Sequence, residues 1–104
     1  MNSLVEHRVE EVRQICRRYG VERLDLFGSA AGEAFDDLRA SDLDFVVSFE
    51  RRDPPGLFDR YFGLKEDLEA LFGRRVDLVM EGVIGRNPYF ARSVAQTRVP
   101  LYAA

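Results

Sequence analysis

Residues 42–49, DLDFVVSF, alternate with a period of two. Leu43, Phe45, Val47 and Phe49 fall on one side of an extended chain, and Asp42, Asp44, Val46 and Ser48 fall on the other. That pattern belongs to a strand with one face on a core, so its two carboxylates must share the opposite face. The segments around it alternate between helical and extended periodicity. In residues 3–19 the apolar side chains Val5, Val9, Val12, Cys16 and Tyr19 recur at steps of four and three, which stacks them on one face of a helix. Ser3 and Glu6 have capping-box spacing, and Gly20 can take the left-handed conformation that ends a helix. Residues 23–27, RLDLF, read as a short buried strand running into a turn at Gly28-Ser29.

Residues 30–41 are small and polar and hold at most a short helix. Asp53-Pro54-Pro55 offers a cap and a proline start for a second long helix, with Leu57, Tyr61, Leu64, Leu68 and Leu71 on its apolar face and Gly73 as its stop. Residues 75–80, RVDLVM, form a further strand, with Asp77 on the face opposite Val76, Leu78 and Met80. Asn87-Pro88 opens a third long helix that ends before Pro100. The order helix, strand, strand, helix, strand, helix predicts a single α/β domain over 1–104 with a sheet of at least three strands. Tyr89, Phe90, Val94, Val99, Leu101 and Tyr102 are expected in its core, with a homodimer or hetero-complex covering any remainder.

Composition removes several kinds of chemistry. The net charge is −3, with 15 basic and 18 acidic residues, which leaves no cationic surplus to follow a nucleic-acid backbone. Cys16 is the single cysteine and His7 the single histidine, so disulfides, cysteine–zinc clusters and Ser-His or Cys-His pairs lack their parts. His7 belongs to the polar side of the first helix and is expected in solvent. The first residues lack the pattern of a secretion signal, and no apolar run is long enough for a membrane span, so a soluble protein of the reducing cytoplasm is expected.

Carboxylates are what remains. Two of them at i and i+2 on a strand lie about 7 Å apart on one face, close enough to share one or two divalent cations. Asp77, from another strand, can supply a third ligand. Oxygen ligands without His or Cys favour Mg²⁺, with Mn²⁺ as an alternative, and Mg²⁺ held by few carboxylates completes its shell with water and substrate phosphates. A nucleoside triphosphate is the expected substrate. At Gly28-Ser29 the glycine permits close backbone approach and the serine brings a hydroxyl donor. Taken singly these features are weak: a Gly-Ser pair is more often a plain turn, and Asp-x-Asp also occurs in sugar-nucleotide transferases and calcium loops.

Taken in order, the strand LDLF, then Gly28-Ser29, then Asp42-Leu43-Asp44 on an apolar strand, then Asp77 on a later strand resemble the nucleotidyltransferases of the DNA polymerase beta superfamily. The chain is most similar to their minimal nucleotidyltransferase (MNT) proteins, and VDLVMEG, RNPYF, SVAQTR and LYAA extend the likeness through the second half. The resemblance implies a mixed α/β (α+β) sheet backed by helices. It implies that Gly28 and Ser29 contact the triphosphate, that Asp42 and Asp44 bind two Mg²⁺ ions, and that Asp77 completes an acidic triad that is both catalytic and metal-binding. It also implies transfer of AMP from ATP to a hydroxyl on a partner protein, a HEPN-domain toxin for which the chain is the antitoxin.

The chain departs from the family in one loop. It reads GSAAGE, with no basic residue between Ser29 and Arg39, and the twelve residues Ala30 to Ser41 make the loop two residues longer than usual. Arg39 can substitute in contacting the triphosphate. Two alternatives stay open: a binding module whose catalysis has decayed and which neutralises its partner by occlusion, and a nucleotidyltransferase for aminoglycosides or other small molecules.

Overall fold

The computed structural model describes residues 3–28, 31, 42–51 and 56–104. Two short helical pieces begin the chain, α1 (Ser3–Glu6) and α2 (Val9–Arg18), where the periodicity predicts one continuous helix. The ladder breaks at Arg8, whose N–H reaches back only three residues, to the Val5 carbonyl. The apolar stripe survives the break: Val5, Val12 and Cys16 are fully buried, Gly20 has the left-handed φ of 64°, and His7 is exposed. Burial pushes the Cys16 thiol up to about 12, which makes it an unreactive core side chain.

Strands β1 (Val21–Phe27), β2 (Leu43–Phe49), β3 (Val76–Met80) and β4 (Val99–Ala103) form one mixed sheet in the order β3-β2-β1-β4. β1 pairs antiparallel with both β2 and β4, and β2 pairs parallel with β3. The parallel pair is joined through the crossover helix α3 (Leu57–Phe72), as parallel strands require. The fourth strand goes beyond the three expected. It contains Pro100, which is tolerated because β4 lies at the sheet edge, where a missing N–H need not break a ladder.

One face of the sheet packs on α2 and α3 through Leu24, Leu26, Leu43, Phe45, Val47, Leu64 and Leu68. The other packs on α4 (Glu81–Ile84) and α5 (Pro88–Thr97) through Phe27, Val46, Ile84 and Val94. α5 starts as expected, with the Asn87 side chain accepting from the Tyr89 and Phe90 N–H groups and Pro88 in the first turn.

α3 begins at Leu57 with Gly56 as its N-cap, and the expected cap and proline start at 53–55 lie outside the described residues. Two expectations need correction. The buried face of α3 carries Arg60 and Phe72 beside Leu64 and Leu68, whereas Leu57 is exposed. The Arg60 guanidinium is accommodated because it donates to the Gly20 and Glu50 carbonyls and lies 5.2 Å from the Phe49 ring centroid. Near the C-terminus, Val94 and Leu101 are core, but Tyr89 is 84% exposed and is not.

Side chains of α3 also close the free edge of β3. In the parallel register, alternate residues of β3 turn their backbone groups away from β2. Of these, the Val76 N–H donates to Glu69 Oε2 at 3.0 Å and the Leu78 carbonyl accepts from the Tyr61 hydroxyl. An edge capped in this way is a poor template for another strand. No helix among the described residues is long and apolar enough to cross a membrane.

Candidate active site

Strand direction brings the acidic residues together. β1 ends at Phe27, opposite Asp44 near the start of β2, and Asp44 in turn lies beside Asp77 near the start of β3. Neighbouring strands are about 4.8 Å apart, so Asp44 and Asp77 are adjacent on one face of the sheet. Asp42, the residue before β2, is near enough for its charge to act on Asp44. The face shared by Asp44 and Asp77 is the one covered by α4 and α5, whose apolar cover reaches Phe27 on β1 but, among the described residues, ends at Val46 on β2 and Val79 on β3, before the carboxylates. Asp42 and Asp77 are exposed and Asp44 is half-buried.

The electrostatics follow from that placement. Burial, then the charges of Asp77 and Asp42, push the Asp44 carboxyl up to about 6. Three like charges at the mouth of a sheet are unfavourable alone and would be relieved by a cation. Among the described residues no three His, Cys, Asp or Glu side chains already close around one point. Oxygen donors of this kind are the type Mg²⁺ takes, one or two carboxylates from a protein with water and phosphate oxygens completing the octahedron.

Gly28 closes the site from the β1 side. Its φ is 75°, and a Cβ built on it would come within 2.7 Å of Asp44 Oδ2, so both the backbone angle and the space demand glycine. The Ala31 N–H returns to the Gly28 carbonyl at 3.1 Å. Ser29 and Arg39, expected to contact the triphosphate, lie outside the described residues, as does the rest of 30–41 apart from Ala31.

Two groups that were not anticipated support the site. The Gly28 N–H donates to Thr97 Oγ1 at 3.0 Å, at the last turn of α5. Asp25, fully buried one register step behind Asp44 on the same face, receives Arg98 Nε at 2.7 Å and Arg23 Nη2 at 3.0 Å, and Arg98 also holds Glu81 Oε2 at 3.0 Å. A lone acid between Leu24 and Leu26 in a buried strand was a visible signal that a cation must come to it. Its principal partner, 73 residues later, was not visible. Beside Gly28, a cleft of about 660 Å³ runs along Ser93, Gln96 and Thr97.

Comparison with known proteins agrees with this arrangement. Residues 9–101 match the family described as Nucleotidyltransferase domain. Protein adenylyltransferase MntA of Thermococcus cleftensis is 42% identical over 82 residues, covering 78% of this chain and 74% of that protein. A solved minimal nucleotidyltransferase superposes with a TM-score of 0.72 at 34% identity, covering 96% of each chain. A chain from the complex of tri-AMPylated Shewanella oneidensis HEPN toxin with MNT antitoxin shares the fold, with a TM-score of 0.62 at 17% identity over 95% of this chain and 72% of that one. The four-strand mixed sheet, the carboxylates beyond its apolar cover and these likenesses together place the chain in the nucleotidyltransferase domain family.

Proposed function

We propose that this protein transfers AMP from ATP to a hydroxyl on a partner protein, and that the partner is a HEPN-domain toxin which the transfer silences. The observation that carries the reading is the side-by-side placement of Asp44 and Asp77 in the parallel register, with Gly28 against Asp44 and the charge of Asp42 acting on it. The likeness to a protein adenylyltransferase of Thermococcus cleftensis supports a protein acceptor, and the AMPylated toxin in the Shewanella complex supports a HEPN partner.

Asp42, Asp44 and Asp77 would hold Mg²⁺, and bound Mg²⁺ supplies Lewis-acid stabilisation of the attacking and leaving oxygens. Gly28, without a Cβ, lets the chain pass directly beside Asp44, and Ser29 is the residue proposed to contact the triphosphate with it. Arg39 is the cation proposed to help there. The acceptor oxygen attacks the α-phosphorus, a new P–O bond forms, and the bond to the β-phosphate oxygen breaks with pyrophosphate leaving. Asp77, an exposed carboxylate on the edge strand β3, would take the acceptor's proton.

The test is incubation with α-labelled ATP, Mg²⁺ and the partner protein. Label on the partner that disappears with the double variant Asp42→Asn and Asp44→Asn supports the reading; no label, or undiminished label with that variant, overturns it. The GSAAGE loop favours one rival, a decayed module that only occludes its partner. That rival predicts tight partner binding with no uptake of Mg²⁺–ATP.

A further inference from the structure

Thr97 has no part in the acidic constellation, yet it holds the turn that faces it. Its hydroxyl carries a single proton, which goes to the Ser93 carbonyl at 3.1 Å, one helical turn back. The oxygen lone pairs are left facing outward, and the Gly28 N–H donates to them at 3.0 Å. Gly28 lies past the end of β1, beyond the last ladder pairs of that strand, so this N–H has no strand partner. Backbone donors in such positions need an acceptor. On its other side Gly28 meets Asp44, where a Cβ would lie 2.7 Å from Oδ2.

We propose that Thr97 is a positioning residue for the triphosphate. By fixing Gly28 between α5 and Asp44, it holds the backbone that passes beside the carboxylates in place for the nucleotide. The inference rests on the nucleotidyl-transfer reading above. It adds that α5, which contributes no carboxylate, controls nucleotide affinity through one hydroxyl. The hydroxyl, rather than the shape of the residue, is the active feature. Serine should therefore replace it and valine, which is nearly isosteric, should not.

The experiment titrates wild type, Thr97→Val and Thr97→Ser with a non-hydrolysable ATP analogue in Mg²⁺, and measures KM for ATP and for the protein acceptor. Loss of a partner for a backbone donor predicts a rise of about ten-fold in Kd and in KM for ATP for Thr97→Val. The acceptor KM should stay within two-fold of wild type, and Thr97→Ser should stay within about two-fold throughout. Unchanged nucleotide affinity in Thr97→Val overturns the inference, as does equal impairment in Thr97→Ser, or a parallel rise in both KM values. If wild type itself binds no nucleotide, the reading of the site falls and the inference with it. If wild type binds and Thr97→Val binds equally well, only the inference falls.

Discussion

The backbone of Gly28 passes so close to Asp44 that a single added methyl would stand 2.7 Å from the Asp44 Oδ2 carboxylate oxygen. With a φ of 75°, Gly28 also occupies a conformation that other residues reach only at a cost. Gly28→Ala should therefore destabilise the fold by about 1–3 kcal/mol and push Asp44 off its place. Thermal melts and the label-transfer assay read the two effects. A variant with wild-type melting and wild-type transfer contradicts this account of the turn.

The Asp44 carboxylate lies where its charge costs stability. Its folded-state carboxyl lies near 6 against a usual value of 3.8, so the folded protein holds this proton more tightly than the unfolded chain. The resulting stabilisation is full below pH 3.8 and is lost as the pH rises through 6. Asp44→Asn, which has nothing to ionise, should be more stable than wild type at pH 7.5 without divalent ions. After allowance for solvent screening the gain is about 1–2 kcal/mol, or several degrees in Tm. The gap should close near pH 4 in metal-free buffer, and also when Mg²⁺ is added to wild type at neutral pH. A gap that ignores both pH and Mg²⁺ would argue against carboxylate repulsion as its source.

The Asp25–Arg98–Glu81 chain makes a different prediction. Removing Arg98 leaves a fully buried carboxylate held, among the described residues, by Arg23 alone, and breaking a buried pair from one side is costly. Arg98→Met should lower stability by about 2–4 kcal/mol in urea unfolding. Adding Asp25→Leu should recover a large part of that loss, since the orphaned charge is then gone. Equal or additive losses in the double variant would show that the pair is not coupled.

At the free edge of β3, Tyr61 and Glu69 occupy backbone groups that would otherwise be open. The double variant Tyr61→Phe and Glu69→Ala should remain folded but self-associate with rising concentration, as light scattering after gel filtration would detect. A variant that stays as dispersed as wild type over the same range shows that the edge is protected by something else.

The carboxylate cluster was legible because strand periodicity is local. DLDFVVSF puts Asp42 and Asp44 on one face whatever the rest of the chain does, and RVDLVM does the same for Asp77. The mixed sheet was reached through resemblance, since element order alone left strand directions open. What stayed hidden depends on pairings between distant segments. β4 carries a proline and is a strand only because β1 offers it a ladder. Thr97 reads as an ordinary helix residue, and its partner Gly28 lies 69 positions earlier. Arg60 breaks the apolar stripe of α3 because backbone carbonyls at Gly20 and Glu50 happen to converge on it. The break between α1 and α2 left no mark in the apolar pattern.

In the proposed function, Asp42, Asp44 and Asp77 act together to move an adenylyl group onto a partner protein. Intact-mass spectrometry of the HEPN-domain partner, co-expressed with wild type and with the Asp42→Asn, Asp44→Asn double variant, tests it most directly. The account predicts a partner heavier by one or more adenylyl groups with wild type and an unmodified partner with the variant. An unmodified partner in both cases, bound tightly in both, would contradict it.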